Sequence, residues 1–251
     1  MRDPTERFSD RVADYVRYRP SYPVEIVRIL ERSAGIAPTR TRVADIGAGT
    51  GISAALFARE GYAVTAVEPN DPMRAECDRL LAGNARYRSV CGTAEATTLE
   101  PGSIDLAIAA QAFHWFDRAK TKIELARILS PGGIVALVWN DRRIDTPFLH
   151  AYEDALLRLG IDYAKVRHQN IDDSAIRAWF ASSCTHASVP NHQDFDLEGL
   201  IGRALSSSYV PKKGQANHDE LMTELADIFS AHAEAGLVRF VYDTQLWFGP
   251  L

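Results

Sequence analysis

Three glycines at alternate positions, Gly47, Gly49 and Gly51, follow the apolar run Val43–Ile46, and a carboxylate, Glu68, closes the next apolar run, Ala63–Val67. Glycine lacks a Cβ, so it allows the tight turn and the close approach of a ligand that such a loop requires. A carboxylate at the end of the neighbouring strand can accept hydrogen bonds from both hydroxyls of a ribose. The pair defines a nucleoside-binding strand–helix–strand unit. Asp45, Ala48 and Thr50 share the loop, and each acid also has a plain reading as a surface carboxylate at a strand end.

The flanking sequence supplies the elements that must position this pair. The short apolar runs Val43–Ile46, Ala63–Val67, Ile104–Ala110 and Ile134–Trp139 have the continuous hydrophobicity of parallel strands buried on both faces. Helices are predicted between them at Ile52–Arg59, Pro72–Leu81 and Arg118–Ile128. That alternation predicts an α/β fold with helices on both faces of the sheet. Upstream, Phe8–Leu30 reads as helical with a break at Arg19–Pro23, because Pro20 and Pro23 restrict the backbone there. Downstream, helices are predicted at Phe148–Leu159, Ser174–Phe180, Leu197–Ser206 and Asp219–Ala235, with strands at His186–Phe195 and Leu237–Phe248.

Bulk properties narrow the function. The 251 residues carry 28 basic and 33 acidic side chains, a net charge of −5, with no basic run, which argues against nucleic acid as a partner. Cys77, Cys91 and Cys184 are scattered, without metal-site or disulfide spacing, and fit reduced thiols in a cytoplasmic protein. No signal peptide is read at Met1–Arg7, and no apolar run approaches the roughly 20 residues that span a bilayer. No metal site and no membrane association are expected.

The spacing of the loop bears on which nucleoside is bound. A dinucleotide fingerprint needs a third glycine where this chain has Ile52, and a β-branched residue there disfavours close packing of helix on strand. A nicotinamide-dependent oxidoreductase is therefore the second reading. The Gly-x-Gly-x-Gly form suits a ligand without phosphate, whose amino-acid portion lies against the loop.

On these residues the chain resembles the class I S-adenosylmethionine-dependent methyltransferases. Asp45-Ile46-Gly47-Ala48-Gly49-Thr50-Gly51 is similar to their first motif, and Glu68 to their ribose-binding acid. Gly92-Thr93-Ala94-Glu95 resembles the segment that reads the adenine edge, and Leu129-Ser130-Pro131-Gly132-Gly133-Ile134 the turn before the fifth strand. The motifs run in the family's order over about residues 43 to 140. The resemblance implies a Rossmann-like sheet of seven strands, mostly parallel with the last antiparallel. It also implies S-adenosylmethionine as donor, S-adenosylhomocysteine as product, and Pro69, Met73, Gln111 and Ala112 as further pocket residues. It divides the single domain into an N-terminal helical lid (1–35), a cofactor-binding core (36–140), a helical cap insertion (141–183) and a C-terminal part completing the sheet (184–251).

A narrower resemblance, to trans-aconitate methyltransferase-like proteins, rests on four segments: Phe8–Pro23, Gln111–Phe116, Ser206–Pro211 and Trp247–Gly249. It implies that the N-terminal helix covers the pocket, with Tyr15, Tyr18, Arg19 and Tyr22 at the entrance and Arg19 available to a carboxylate. The expected reaction is in-line methyl transfer to a small-molecule acceptor, with an organic acid as one class. His114, after the fourth strand, is the candidate general base, with packing against the pocket wall as its plain reading. Asn/Asp-Pro-Pro-Tyr/Phe is absent after that strand and no cysteine lies there, which sets aside base-amine and cytosine C5 methylation. A protein that binds the cofactor without catalysing transfer is the third reading.

Overall fold

A computed structural model describes residues 16–163, 173–180 and 184–251. The strands are β1 (Arg42–Ile46), β2 (Ala63–Val67), β3 (Tyr87–Val90), β4 (Ile104–Ala110), β5 (Leu129–Arg142), β6 (Thr185–Phe195) and β7 (Val238–Gly249). They form one sheet in the order β3-β2-β1-β4-β5-β7-β6. The first five are mutually parallel, whereas β7 runs antiparallel to both of its neighbours. This is the expected seven-stranded Rossmann-like sheet.

Two strands depart from the sequence expectation. β3 was not predicted, because Tyr-Arg-Ser-Val at the sheet edge has no apolar run and none of its residues is fully buried. β5 begins five residues ahead of the apolar run: Leu129 registers on Ile104, with an irregularity before the regular pairing of Leu106 with Ile134. The glycine-rich turn segment is thus carried inside the strand.

Helices cover the sheet where its two faces are apolar. On one face lie α1 (Glu25–Ala34), α2 (Ile52–Arg59) and α3 (Asp71–Leu80). Ile26, Val27 and Leu30 of α1 and Ala54, Ala55 and Phe57 of α2 pack there against Leu106, Ile108, Ala136 and Val138. The alternate residues Ala107, Ala109, Leu137 and Trp139 point to the opposite face, as a strand's two-residue period requires. That face is covered by α4 (Arg118–Ile128) and α6 (Asp173–Trp179), whose Ile176 and Trp179 join Phe113 and Trp247. A third apolar cluster extends the first face over β7. It joins α5 (Pro147–Leu159), α7 (Leu197–Leu205) and α8 (His218–His232) to Phe240 and Tyr242.

The strand order reverses direction between β1 and β4. In open α/β sheets such a switch point leaves a crevice at the carboxyl ends of the strands, where ligands bind. Here the crevice opens after Ile46 and Ala110.

Candidate active site

The loop after β1 turns on left-handed glycines: φ is 68° at Gly47, 56° at Gly49 and 86° at Gly51. Two of them are also fixed by contact. A Cβ on Gly51 would stand 2.4 Å from Cys77 Sγ of α3, and one on Gly47 would meet Ala112 Cβ at 2.9 Å. The loop therefore lies close under both the segment after β4 and α3, and a side chain at Gly47 or Gly51 would force its neighbour to shift.

Glu68, 7% exposed, sits beneath this loop. Its Oε2 accepts from Gly49 N at 2.8 Å, and its Oε1 accepts from Asn70 N at 2.8 Å. Burial pushes the Glu68 carboxyl above its ordinary range, while those backbone donors from Asn70 and Gly49 pull it back. Asn70 caps α3 by accepting from Met73 N at 3.0 Å, which fixes Met73 against the site. The turn holding Ala94 and Glu95 is closed by a bridge between Thr93 and Ala96. Glu124 of α4 anchors that turn, accepting from Thr97 N at 2.8 Å and Thr97 Oγ1 at 2.5 Å. Its pairing with Arg127, together with the Thr97 donors, holds the Glu124 carboxyl down to about 2.

Beyond β4 the backbone is strained at Gln111, a non-glycine residue at φ 56° whose N–H donates to Val138 O at 2.8 Å. Such strain is held only where the surroundings over-determine it, and it clusters at ligand sites. A short 3-10 turn, Phe113–Trp115, follows.

These segments enclose a cavity of about 270 Å³. Gly47, Ala48, Gly49, Thr50, Glu68, Pro69, Met73, Ala94, Glu95, Gln111 and Ala112 line it, so most of the expected cofactor residues converge. Two expected residues do not line it. Asp45 is completely buried behind the loop, where its Oδ2 accepts from Ser53 Oγ at 2.5 Å. Burial raises the Asp45 carboxyl to about 7 against the pull of Ser53 and the Ala54 backbone. Gly51 sits against Cys77 and lies outside the wall. Trp115 and Phe116, read with His114 as a segment that packs round the pocket wall, line it, as does Thr93 of the adenine-edge segment; sequence reasoning missed Ser53, Asn70 and Ala110 as wall residues, and it used Ile52 only as an argument about spacing. Of these, only Asn70 had a local signal, as a helix cap three residues ahead of Met73.

The three residues expected to act on the acceptor do not line this cavity. His114 does not line the cavity; its ring packs on Trp115 with centroids 4.7 Å apart. Tyr18 is an anchor, its ring lying so close over α7 that a Cβ on Gly202 would meet it at 2.2 Å. Arg19 donates to Ser206 O at 2.9 Å and Ser207 Oγ at 3.4 Å and is not part of the cavity wall. Among the described residues of the N-terminal aromatic set, Tyr22 lines the cavity and Tyr18 does not. Tyr15 lies outside the described residues, as does the whole segment Phe8–Asp14.

The N-terminal segment is nevertheless tied across the site. Ser21 O accepts from Asn140 Nδ2 at 3.2 Å and from Asn191 Nδ2 at 2.8 Å, and Tyr18 O accepts from Gln193 Nε2 at 3.3 Å. Its backbone thereby bridges the carboxyl ends of β5 and β6. Among the described residues no cluster of three metal-ligating side chains occurs, and no helix is long and apolar enough to cross a membrane.

A glycine loop, a buried strand-end acid and a crevice at the switch point place the chain in the Rossmann-like fold class. Residues 44–137 match the family model described as a methyltransferase domain. An uncharacterised methyltransferase of Mycobacterium bovis is 40% identical over 141 residues, covering 56% of this chain and 55% of that protein. The chain thus spans about half the length of the curated relatives it matches first. A structure from Anaeromyxobacter dehalogenans, assigned to the type II methyltransferases, superposes with a TM-score of 0.69 at 24% identity, covering 93% of this chain and 98% of that one. A phosphoethanolamine N-methyltransferase of Haemonchus contortus, solved with phosphomonomethylethanolamine and S-adenosylhomocysteine, superposes at 0.55 with 19% identity, covering 99% and 59%. Residues 44–137 match a methyltransferase domain, and the described fold is the one those solved methyltransferases share.

The cavity suits that cofactor on its own chemistry. The glycines leave the loop backbone open to a ligand, and Glu68 offers a buried carboxylate for ribose hydroxyls. Two polar atoms of wall residues, Thr50 Oγ1 and Gln111 Oε1, are buried without a hydrogen-bond partner in the protein. A polar ligand in the cavity would supply those bonds.

Proposed function

We propose that this chain is an S-adenosylmethionine-dependent methyltransferase that acts on a small-molecule acceptor, with organic acids as the favoured class. The observation that carries the proposal is Glu68 held under the left-handed glycine loop at the wall of a cavity on the switch point. S-Adenosylmethionine, when bound, supplies an electrophilic methyl group on a sulfonium.

The chain's own residues bind, orient and exclude water. Glu68 accepts from the ribose hydroxyls, the loop from Gly47 to Gly51 receives the amino-acid portion, and Ala94 N–H with Glu95 faces the adenine edge. Trp115, Phe116, Met73 and Ile52 provide apolar wall. Tyr22 closes the cavity on the side where the N-terminal segment is tied to Asn140 and Asn191. In-line displacement needs alignment of donor and acceptor and exclusion of water more than it needs acid–base chemistry. Acceptors already anionic at neutral pH need no base, in keeping with a His114 that packs outside the cavity wall.

The test is calorimetric titration of S-adenosylhomocysteine into the full chain, followed by a screen of small metabolites with radiolabelled methyl donor. One-to-one binding and transfer to a small acid support the proposal. Absence of binding to the folded protein overturns it.

A further inference from the structure

Three arginines from distant segments meet beside the N-terminal tie. Arg203 of α7 is 6% exposed, and its Nη1 donates to Ser207 Oγ at 3.1 Å. Arg19 Nη2 reaches the same oxygen at 3.4 Å, so two guanidiniums share one hydroxyl. Arg142, at the end of β5, lies with its guanidinium carbon 4.7 Å from the centre of the Tyr152 ring. Its Nη2 pairs with Glu153 and donates to Tyr163 Oη at 2.9 Å. Its Nη1 is buried with no hydrogen-bond partner, and so is the Tyr152 hydroxyl.

Of the two arginines buried deepest here, Arg142 pairs with Glu153 while Arg203 donates to the neutral Ser207 and Tyr242 hydroxyls, and arginine does not shed its proton. Burying like charges together costs several kcal/mol unless an opposite charge joins them. The field is visible on a neighbour: burial works to raise the Tyr209 phenol, yet Arg203, Arg19 and Arg142 outweigh it and bring the phenol below its ordinary range. A structure that retains this arrangement has a use for an anion in it.

The position suits an acceptor. Asn140, whose backbone O accepts from Gln111 Nε2 at 3.4 Å, joins the cofactor wall to the nest. Arg142 stands two residues further along the same strand and on the same face, about 7 Å on. Resting on the proposed transferase activity, we infer that Arg142, Arg203 and Arg19 with the Tyr152 hydroxyl form an oxyanion-binding subsite for the acceptor, taking a carboxylate or phosphate group remote from the methylated atom. The planar, two-pronged donors of arginine match either group.

The experiment titrates succinate, inorganic phosphate and the neutral succinamide by calorimetry into the full chain saturated with S-adenosylhomocysteine, whose own binding is measured first. Succinate or phosphate should bind saturably while succinamide does not, and the stronger of the two anions identifies the acceptor's acidic group. Arg142→Gln should weaken that anion at least tenfold and Tyr152→Phe three- to tenfold, each with S-adenosylhomocysteine affinity within twofold of wild type. If Arg142→Gln does not fold, Tyr152→Phe carries the test. Failure of both anions to bind, equal binding of succinamide, or unchanged anion affinity in the folded variants overturns the subsite. If S-adenosylhomocysteine itself does not bind, the transferase reading fails, and the anion titrations repeated without it judge the subsite separately.

Discussion

The cofactor end and the arginine end of the crevice are built by opposite means. The cofactor end is local: within one β1–α2–β2 unit, 22 positions hold the loop and its acid, from Gly47 to Glu68. It is shaped by backbone geometry, carries few charges and is closed by apolar wall. The arginine end is assembled from Arg19, Arg142, Tyr152 and Arg203, side chains on separate segments brought together only by the fold. A shared donor can be held by a motif that travels as a unit, whereas an acceptor site made of scattered side chains can change one residue at a time.

The sharpest way to break the first region is steric. Gly51→Val places a branched side chain where a single Cβ already meets Cys77 Sγ at 2.4 Å, at a φ that valine rarely adopts. S-Adenosylhomocysteine affinity should fall more than a hundredfold, read by calorimetry; retention of wild-type affinity would remove the loop from the account. Next in size, Glu68→Ala removes a charged acceptor of two hydroxyl bonds. At about 1.5–3 kcal/mol for a hydrogen bond to a charged group, the loss should be about 30-fold or more. Acceptor-side anion affinity should stay unchanged, because the two regions share no charged residue.

The comparison also explains what the sequence made legible. Strands buried on both faces leave unbroken apolar runs, so β1, β2, β4 and the centre of β5 were readable from periodicity. Edge strand β3 escaped because Arg88 and Ser89 face solvent or near-solvent and break the run. The glycines and Glu68 were legible because backbone demands restrict residue type at fixed spacing. Asp45 shared that spacing yet serves behind the loop through Ser53, since the alternation of β1 turns it away from the crevice. Of the His114-Trp115-Phe116 segment, whose plain reading was packing round the pocket wall, the 3-10 turn brings Trp115 and Phe116 to the cavity and leaves His114 out of its wall. Arg203 carried no local signal at all; only the docking of α7 on β7 gives it a role.

A third prediction concerns pH. Asp45 folds with its carboxyl raised to about 7 from an ordinary 3.8, so the native state holds a proton that the unfolded chain releases between those values. Its contribution is fully present below about pH 4 and is lost as pH rises toward 7, by about 2–4 kcal/mol. Urea titrations of Asp45→Asn should show a flatter pH dependence across that window; an unchanged slope would contradict the buried, protonated carboxyl. Glu124, lowered to about 2 by Arg127 and Thr97, acts with the opposite sign and in a separate window, its stabilisation being lost as pH falls from about 4.5 to 2.

The smallest effect is expected at His114. Its ring packs on Trp115 outside the cavity wall, so His114→Gln should lower kcat less than tenfold and leave the pH profile of transfer unmoved. A loss of several hundredfold, with a limb near pH 6.5 abolished, would restore it as the base and make the acceptor a neutral hydroxyl or amine.

Most directly, the account stands on one titration: S-adenosylhomocysteine into the wild-type chain at neutral pH, with NAD as the control. Saturable one-to-one binding of S-adenosylhomocysteine, weakened by Glu68→Ala and absent for NAD, is the predicted result. A folded protein that ignores S-adenosylhomocysteine, or that binds NAD in its place, contradicts it.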